Sequence, residues 1–260
     1  MERDVVAELD TGVPHSARVW NHWLGGTDNF AVDRAVGDDF ANLYPDIVVV
    51  ARQSRAFLKR AVTHLVTEGG IRQFLDVGTG IPSAEHTHEV AQALAADARI
   101  VYVDDDPLVL AHARSLLAGT PEGRVDYVGA SLYEPAVILA AAGGTLDLER
   151  PVGLILMNIL GHVPELERAV AIVRELLAGL PSGSYLITAD GTNVIDGPAF
   201  EEAIGVWNAN APLGYHLRHP DEIARFLDGL EVLEPGLVPC GRWRAADRAV
   251  DEYGAVARKA

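Results

Sequence analysis

Between residues 71 and 190 the chain alternates between two hydrophobic periods, and this restricts the fold more than any other feature. Short apolar runs at 73–77, 99–103, 125–128, 153–157 and 184–188 have the length of buried strands. Between them lie stretches of helical length at 83–96 (SAEHTHEVAQALAA), 107–119 (PLVLAHARSLLAG) and 164–180 (PELERAVAIVRELLAGL). In the last, Leu166, Val170, Val173 and Leu177 keep one apolar stripe, Pro164 suits a first turn and Gly179 a stop. Parallel strands need a long crossover, usually a helix. The pattern therefore predicts an α/β fold: a mostly parallel, Rossmann-like sheet with helices on both faces.

Both ends break the rhythm. Residues 1–70 carry no strand pattern, and 54–70 reads as a helix with Ser54 as its cap and Gly69-Gly70 as its stop. This segment is expected to form a helical cap or lid over the domain at 71–260, the two making one structural unit. At the other end, 230–244 and 250–260 predict a strand pair, an antiparallel hairpin added to the parallel sheet.

Charge and composition narrow the function. The formal net charge of −16, with no basic block, argues against a nucleic-acid partner, because such affinity rests on Lys and Arg neutralising phosphates. The single cysteine, Cys240, excludes an intrachain disulfide and a multi-cysteine zinc site. No apolar run approaches the ~20 residues that span a bilayer, and the N-terminus has acids where a secretory signal has basic residues. A cytoplasmic protein without a membrane partner is expected.

The loop after the first strand, FLDVGTGIPS at 74–83, bears on the ligand. A dinucleotide fingerprint needs a third glycine where this chain has Ser83. A triphosphate loop needs a Gly-Lys pair, and no lysine lies between Lys59 and Lys259. What remains is Asp76-Val77-Gly78-Thr79-Gly80, in which an acid precedes the glycine turn. That acid suits an ammonium group better than a pyrophosphate. The second strand ends in Asp104-Asp105-Asp106, which places Asp104 for ribose hydroxyls, Asp105 near adenine and Asp106 as a helix cap. A divalent-cation site is the competing reading of these acids. Adenosine joined to a zwitterionic amino acid is S-adenosylmethionine (SAM).

Several stretches then carry a family resemblance: SARVWNHWLGGTDNFAVDR (16–34), RQSRAFLKRAV (52–62), GIRQFLDVGTGIPSAEHTHEVAQ (70–92), ARIVYVDDDPLVLAHARSLL (98–117), GLEVLEPGLV (229–238) and YGAVARK (253–259). The chain resembles the S-adenosyl methyltransferase family found mainly in actinobacteria, formerly a domain of unknown function. The resemblance implies a bacterial enzyme with the seven-stranded sheet of class I methyltransferases. SAM would lie across the carboxyl ends of the first strands. The cap would close on its amino-acid end, with Arg18 and Arg55 as partners for the carboxylate. The family's adenine-side acid is replaced by Ser131, a pair of histidines after the fourth strand becomes Gly161-His162, and His86 stands where Asn is usual.

Several roles stay open at this stage. His162 suits a general base, or a loop-packing histidine. Asn158 can face SAM or the nucleophile. Trp20, Trp23, Phe30 and Trp207 form an aromatic pocket or ordinary core. His86 and His88 lie two apart, where a helical zinc pair would be i, i+4, so they are read as structural. Two functions compete: methyl transfer to a small-molecule acceptor through an O, N or C nucleophile, and a SAM-binding regulatory protein without turnover. A homodimer is left open. A chain truncated before Arg52 is expected to fold but lose SAM.

Overall fold

The computed structural model describes residues 11–81, 85–106, 109 and 119–260. Strand β1 (Gln73–Val77) is buried along its whole length, as a central strand covered on both faces must be. It pairs in parallel with β2 (Arg99–Asp104) on one side and β4 (Gly153–Met157) on the other. β3 (Arg124–Gly129) extends the sheet beyond β2, and β5 (Tyr185–Gly191) extends it beyond β4. Against β5 runs the antiparallel β8 (Glu252–Arg258). Two short segments, β6 (Glu231–Val232) and β7 (Val238–Pro239), pair with β8 near its opposite ends. The eight-stranded sheet has the order β3-β2-β1-β4-β5-β8-β6, with β7 also on β8. The expected hairpin is thus present. Its first arm is broken in two, which raises the strand count above the seven expected.

Alternating side chains divide the core by face. Leu75, Val77, Val101, Val103, Leu154 and Leu156 pack with α5 (Pro135–Ala142) and α6 (Leu166–Ala178). Phe74, Ile100, Tyr102, Ile155 and Ile187 face α3 (Ile47–Thr67) and α4 (Thr87–Leu94). The strand order turns at β1 and β4, and ligands of open α/β sheets bind at such a switch, outside the carboxyl ends of the strands.

The cap consists of α1 (Ser16–Trp23), α2 (Ala31–Leu43) and the first turns of α3. Val19, Trp23, Phe40, Tyr44, Ile47 and Val50 form a third core with Phe200, Ala203 and Trp207 of α7 (Gly197–Asn210). Tyr44 stacks on Phe200 with ring centroids 4.4 Å apart. Helix α3 therefore starts at Ile47 rather than at residue 54. The β-branched run at 47–50 is a poor helix former alone, but Ile47 and Val50 are buried in this core, and burial outweighs propensity. Ser54 is consequently not a cap but a buried mid-helix residue.

Strand β5 runs to Gly191, three residues past the expected end, and so carries Asp190 into the sheet. The expected helix at 107–119 lies outside the described residues apart from Val109 and Gly119. No helix among the described residues is long and apolar enough to cross a membrane.

Candidate functional site

At the end of β1 the chain turns back on β2: Gly78 donates its backbone N–H to the Val103 carbonyl at 2.8 Å. Both loop glycines have positive φ, +76° at Gly78 and +63° at Gly80, where a side chain is strained. A Cβ on Gly78 would also lie 2.4 Å from the Ile159 side chain. Asp104 clamps this loop: one carboxylate oxygen accepts from Gly80 N–H and the other from Asp106 N–H, each at 3.0 Å. Asp76 accepts from the Thr87 hydroxyl at 2.7 Å.

Both acids lack full compensation. Burial pushes the Asp76 carboxyl up to about 6, against the Thr87 hydroxyl and the Arg55 charge, which lower it. Burial likewise pushes Asp104 up to about 6, against its two backbone N–H bonds. Two carboxyls held this high in one place favour a cationic ligand, which would restore their charge.

These groups face a cleft of about 1080 Å³, counting the solvent at its mouth. Asp76, Gly78, Thr79, Gly80, Asp104 and Asp105 form one wall, and Arg55, Asn158 and His162 also line it. From the cap, Ala17 and Asn21 of α1 and its C-cap residue Leu24 line the cleft, on one helical face by their three- and four-residue spacing. Arg55 makes no hydrogen bond to any described residue. Burial lowers its pKa, though a guanidinium keeps its proton in proteins. His15, just before α1, reaches across to Asp106 at 2.8 Å.

Two expected ligands stand elsewhere. Arg18 lies off the α1 face that lines the cleft and is buried against Asp33, with Nε 2.9 Å from the carboxylate and the guanidinium over the Phe30 ring. Asp33 also accepts from the backbone of His15 and Phe30, so the pair fastens α1 to α2. Ser131 is not among the residues lining the cleft; its hydroxyl faces Tyr133 N–H at 3.5 Å. His86 precedes α4 rather than joining it, and its ring stacks on His88, which bonds the Tyr102 hydroxyl at 2.9 Å.

Opposite the glycine loop, Asn158 has a φ of +55°, and its amide donates to Glu252 at 2.8 Å and to Ser54 at 3.2 Å. Burial holds the Glu252 carboxyl up at about 7. His162 Nδ1 lies 2.7 Å from the Gly214 carbonyl. A carbonyl only accepts, so Nδ1 carries the proton, and the Nε2 lone pair meets no described hydrogen-bond partner. Burial lowers the pKa of this ring, which favours the neutral form. Gly161 is explained by Tyr215: a Cβ there would lie 2.3 Å from the tyrosine ring. The Tyr215 hydroxyl in turn donates to Asp190 at 2.8 Å. Tyr215, Asp190, Glu252 and His15 escape the motif reading. Only the acids left a trace, as Asp190 just after an apolar run and Asp251-Glu252 at a strand start.

Residues 2–260 match the S-adenosyl methyltransferase family. The chain belongs to that family. It is a SAM-dependent methyltransferase, and the cleft fits that cofactor: two buried acids without a full counter-charge, and a guanidinium with no hydrogen bond to any described residue. A DUF574 family protein from Streptomyces avermitilis MA-4680 is 42% identical, with 96% of this chain and 99% of that one aligned at a TM-score of 0.93. A protein from Thermobifida fusca YX is 35% identical over 96% of each chain, with a TM-score of 0.85. Human N-acetylserotonin methyltransferase, crystallised with SAM, shares the fold at 13% identity over 95% of this chain and 63% of its own, with a TM-score of 0.51. No curated protein matches the sequence.

Proposed function

We propose that this methyltransferase acts on a small-molecule acceptor whose proton is taken by His162. The observation that carries the reading is a neutral histidine on the wall of the SAM cleft whose Nε2 bonds no described residue. In this reading Asp104 accepts from the ribose hydroxyls, Asp105 lies toward adenine, and Asp76 and Arg55 hold the ammonium and carboxylate of the amino-acid end. SAM, when bound, would supply an activated sulfonium methyl that passes in line to a nucleophile as the sulfur departs.

The protein's own contribution is alignment, exclusion of water and one proton acceptor. Holding both reactants in place can supply roughly 7–11 kcal/mol of the barrier. The cap excludes water, with His15 joined to Asp106 and α1 facing the glycine loop. His162 Nε2 accepts the proton of an oxygen, nitrogen or sulfur nucleophile. The depressed pKa of the ring then favours its loss to solvent.

The test is formation of S-adenosylhomocysteine from SAM with a panel of small acceptors, beside calorimetry of both nucleosides. Replacement His162→Gln should lower turnover by about 10²–10⁴-fold with SAM affinity kept, the range for loss of a general base. Unchanged turnover in that variant would remove His162 from the mechanism. Binding of both nucleosides without conversion of any acceptor would favour the regulatory alternative.

A further inference from the structure

Beyond the SAM cleft lies a second cavity, about 520 Å³ counting its mouth. It shares Ser16, Trp20, Asn158 and His162 with the cleft, so the two meet at the proposed base. Its walls come from the cap and α7: Trp23, Phe40, Phe200, Ile204 and Trp207. The sequence left Trp20, Trp23, Phe30 and Trp207 between pocket and core; Phe30 lies against Arg18 instead, and the other three line this cavity. The structure makes several of them both, packed behind and open in front.

From these features we propose that the cavity is the acceptor chamber and takes a neutral, flat, largely hydrocarbon molecule with one ionisable hydroxyl, a phenol in chemical class. The inference rests on the methyltransferase reading of the adjoining cleft. Two independent observations support it.

The first is charge. Among the described residues no Asp, Glu, Lys or Arg lines the chamber, whereas the SAM cleft is lined by Arg55 and four aspartates. A charged acceptor would lose its hydration and find no counter-ion, at a cost far above that for a neutral ring.

The second is how the polar atoms are spent. The Trp23 indole N–H donates to the Gly37 carbonyl at 3.1 Å, and that of Trp207 to the Leu213 carbonyl at 2.9 Å, so these rings offer carbon to a ligand. At the neck, the Tyr215 hydroxyl is committed to Asp190 and the Asn158 amide to Glu252. His162 has used Nδ1 on Gly214, which leaves Nε2 as the basic atom for a single acceptor hydroxyl. Flat rings suit walls of this kind, because edge and face contacts between aromatics add to apolar burial.

The step balances with SAM as methyl donor. The phenol O–H bond breaks and its proton goes to His162 Nε2, while the oxygen forms the new bond to the methyl carbon. The S–CH₃ bond breaks, and S-adenosylhomocysteine leaves with the electron pair on sulfur.

The test uses 2-naphthol as probe, titrated into the full chain with S-adenosylhomocysteine present, by tryptophan fluorescence and calorimetry. Saturable binding is expected, with 2-naphthoate at least tenfold weaker. Ile204→Asp, which puts a charge in the wall, should weaken 2-naphthol at least tenfold while Ile204→Leu keeps it, and SAM affinity should stay the same in both. If Ile204→Asp fails to fold, the comparison of naphthol with naphthoate on the unaltered protein decides. The proposal falls if naphthoate binds as well as naphthol. It also falls if 2-naphthol fails to bind while S-adenosylhomocysteine still binds. Neither outcome harms the transferase reading. Naphthol bound in the chamber with no acceptor of any class methylated supports the chamber and defeats transfer.

Discussion

His15 of the N-terminal cap lies 2.8 Å from the Asp106 carboxylate beyond the end of β2, joining cap and sheet across the SAM cleft. Replacement His15→Ala should release SAM several-fold faster with little change in melting temperature, since a partly exposed contact of this kind contributes only about 0–1 kcal/mol to stability. Stopped-flow displacement of SAM and a thermal melt read the two effects. An unchanged off-rate would leave the contact without a part in closure. Truncation before Arg52 is a poorer test than the sequence alone promised. It strips Val19, Trp23, Phe40, Tyr44, Ile47 and Val50 from the core they share with α7, so the expected outcome is an unfolded or aggregated chain.

The two arginines expected to hold the SAM carboxylate should now separate. Arg18→Ala leaves Asp33 buried without its counter-ion, and removing one partner of a buried pair costs about 3–5 kcal/mol. That loss should appear in chemical denaturation whether or not SAM is present. Arg55→Ala breaks no hydrogen bond among the described residues. It should leave stability nearly intact while weakening SAM by on the order of 1.5–3 kcal/mol. Calorimetry giving equal affinity loss in both variants would put Arg18 back in the site.

Raised carboxyl pKa values give the protein a defined pH response. Asp76, Asp104 and Asp190 stand at about 6 and Glu252 at about 7, all above their ordinary values because burial disfavours the charged form. For a raised pKa, the native state binds more protons than the unfolded state. Its stability contribution is therefore present below the ordinary carboxyl pKa and lost as pH rises through 6 to 7. The SAM-free protein should melt at a lower temperature at pH 8 than at pH 5.5, other ionisations held equal in Asp104→Asn and Glu252→Gln controls.

SAM should reverse the sign. Its positive groups favour ionised Asp76 and Asp104, so binding expels protons near pH 6 and affinity rises from pH 5 to 7. Calorimetry in buffers of different ionisation enthalpy measures the proton release directly. No release at pH 6 would mean that neither acid meets the cation.

Gly161 and Gly78 should be intolerant for different reasons. Gly161→Ala drives a methyl group toward the Tyr215 ring, 2.3 Å away, and should displace the Tyr215–Asp190 bond at a cost of about 1–3 kcal/mol, as for overpacking. Gly78→Ala meets both the Ile159 side chain and a φ of +76°, and should also weaken SAM by reshaping the loop. Melting curves with and without SAM distinguish them, because only the loop variant should lose stabilisation by the nucleoside.

What the sequence determined by itself is the sheet, its cofactor loop and the family. Short-range pattern is enough for these. Apolar runs of strand length separated by helical stripes leave few topologies, and Asp76-x-Gly78-x-Gly80 and Asp104 stand at the ends of the adjacent parallel strands β1 and β2, the first of which borders the switch point. What only the tertiary structure decided are the contacts between segments distant in sequence. Arg18 and Arg55 look alike along the chain, yet one helical face turns the first onto Asp33 and another leaves the second in the cleft. The tautomer of His162 depends on a carbonyl 52 residues away, and the chamber beside it on aromatics contributed by both α1 and α7. Such partners share no local spacing, because packing of the cap onto the sheet brings them together and periodicity along a single segment carries no trace of it.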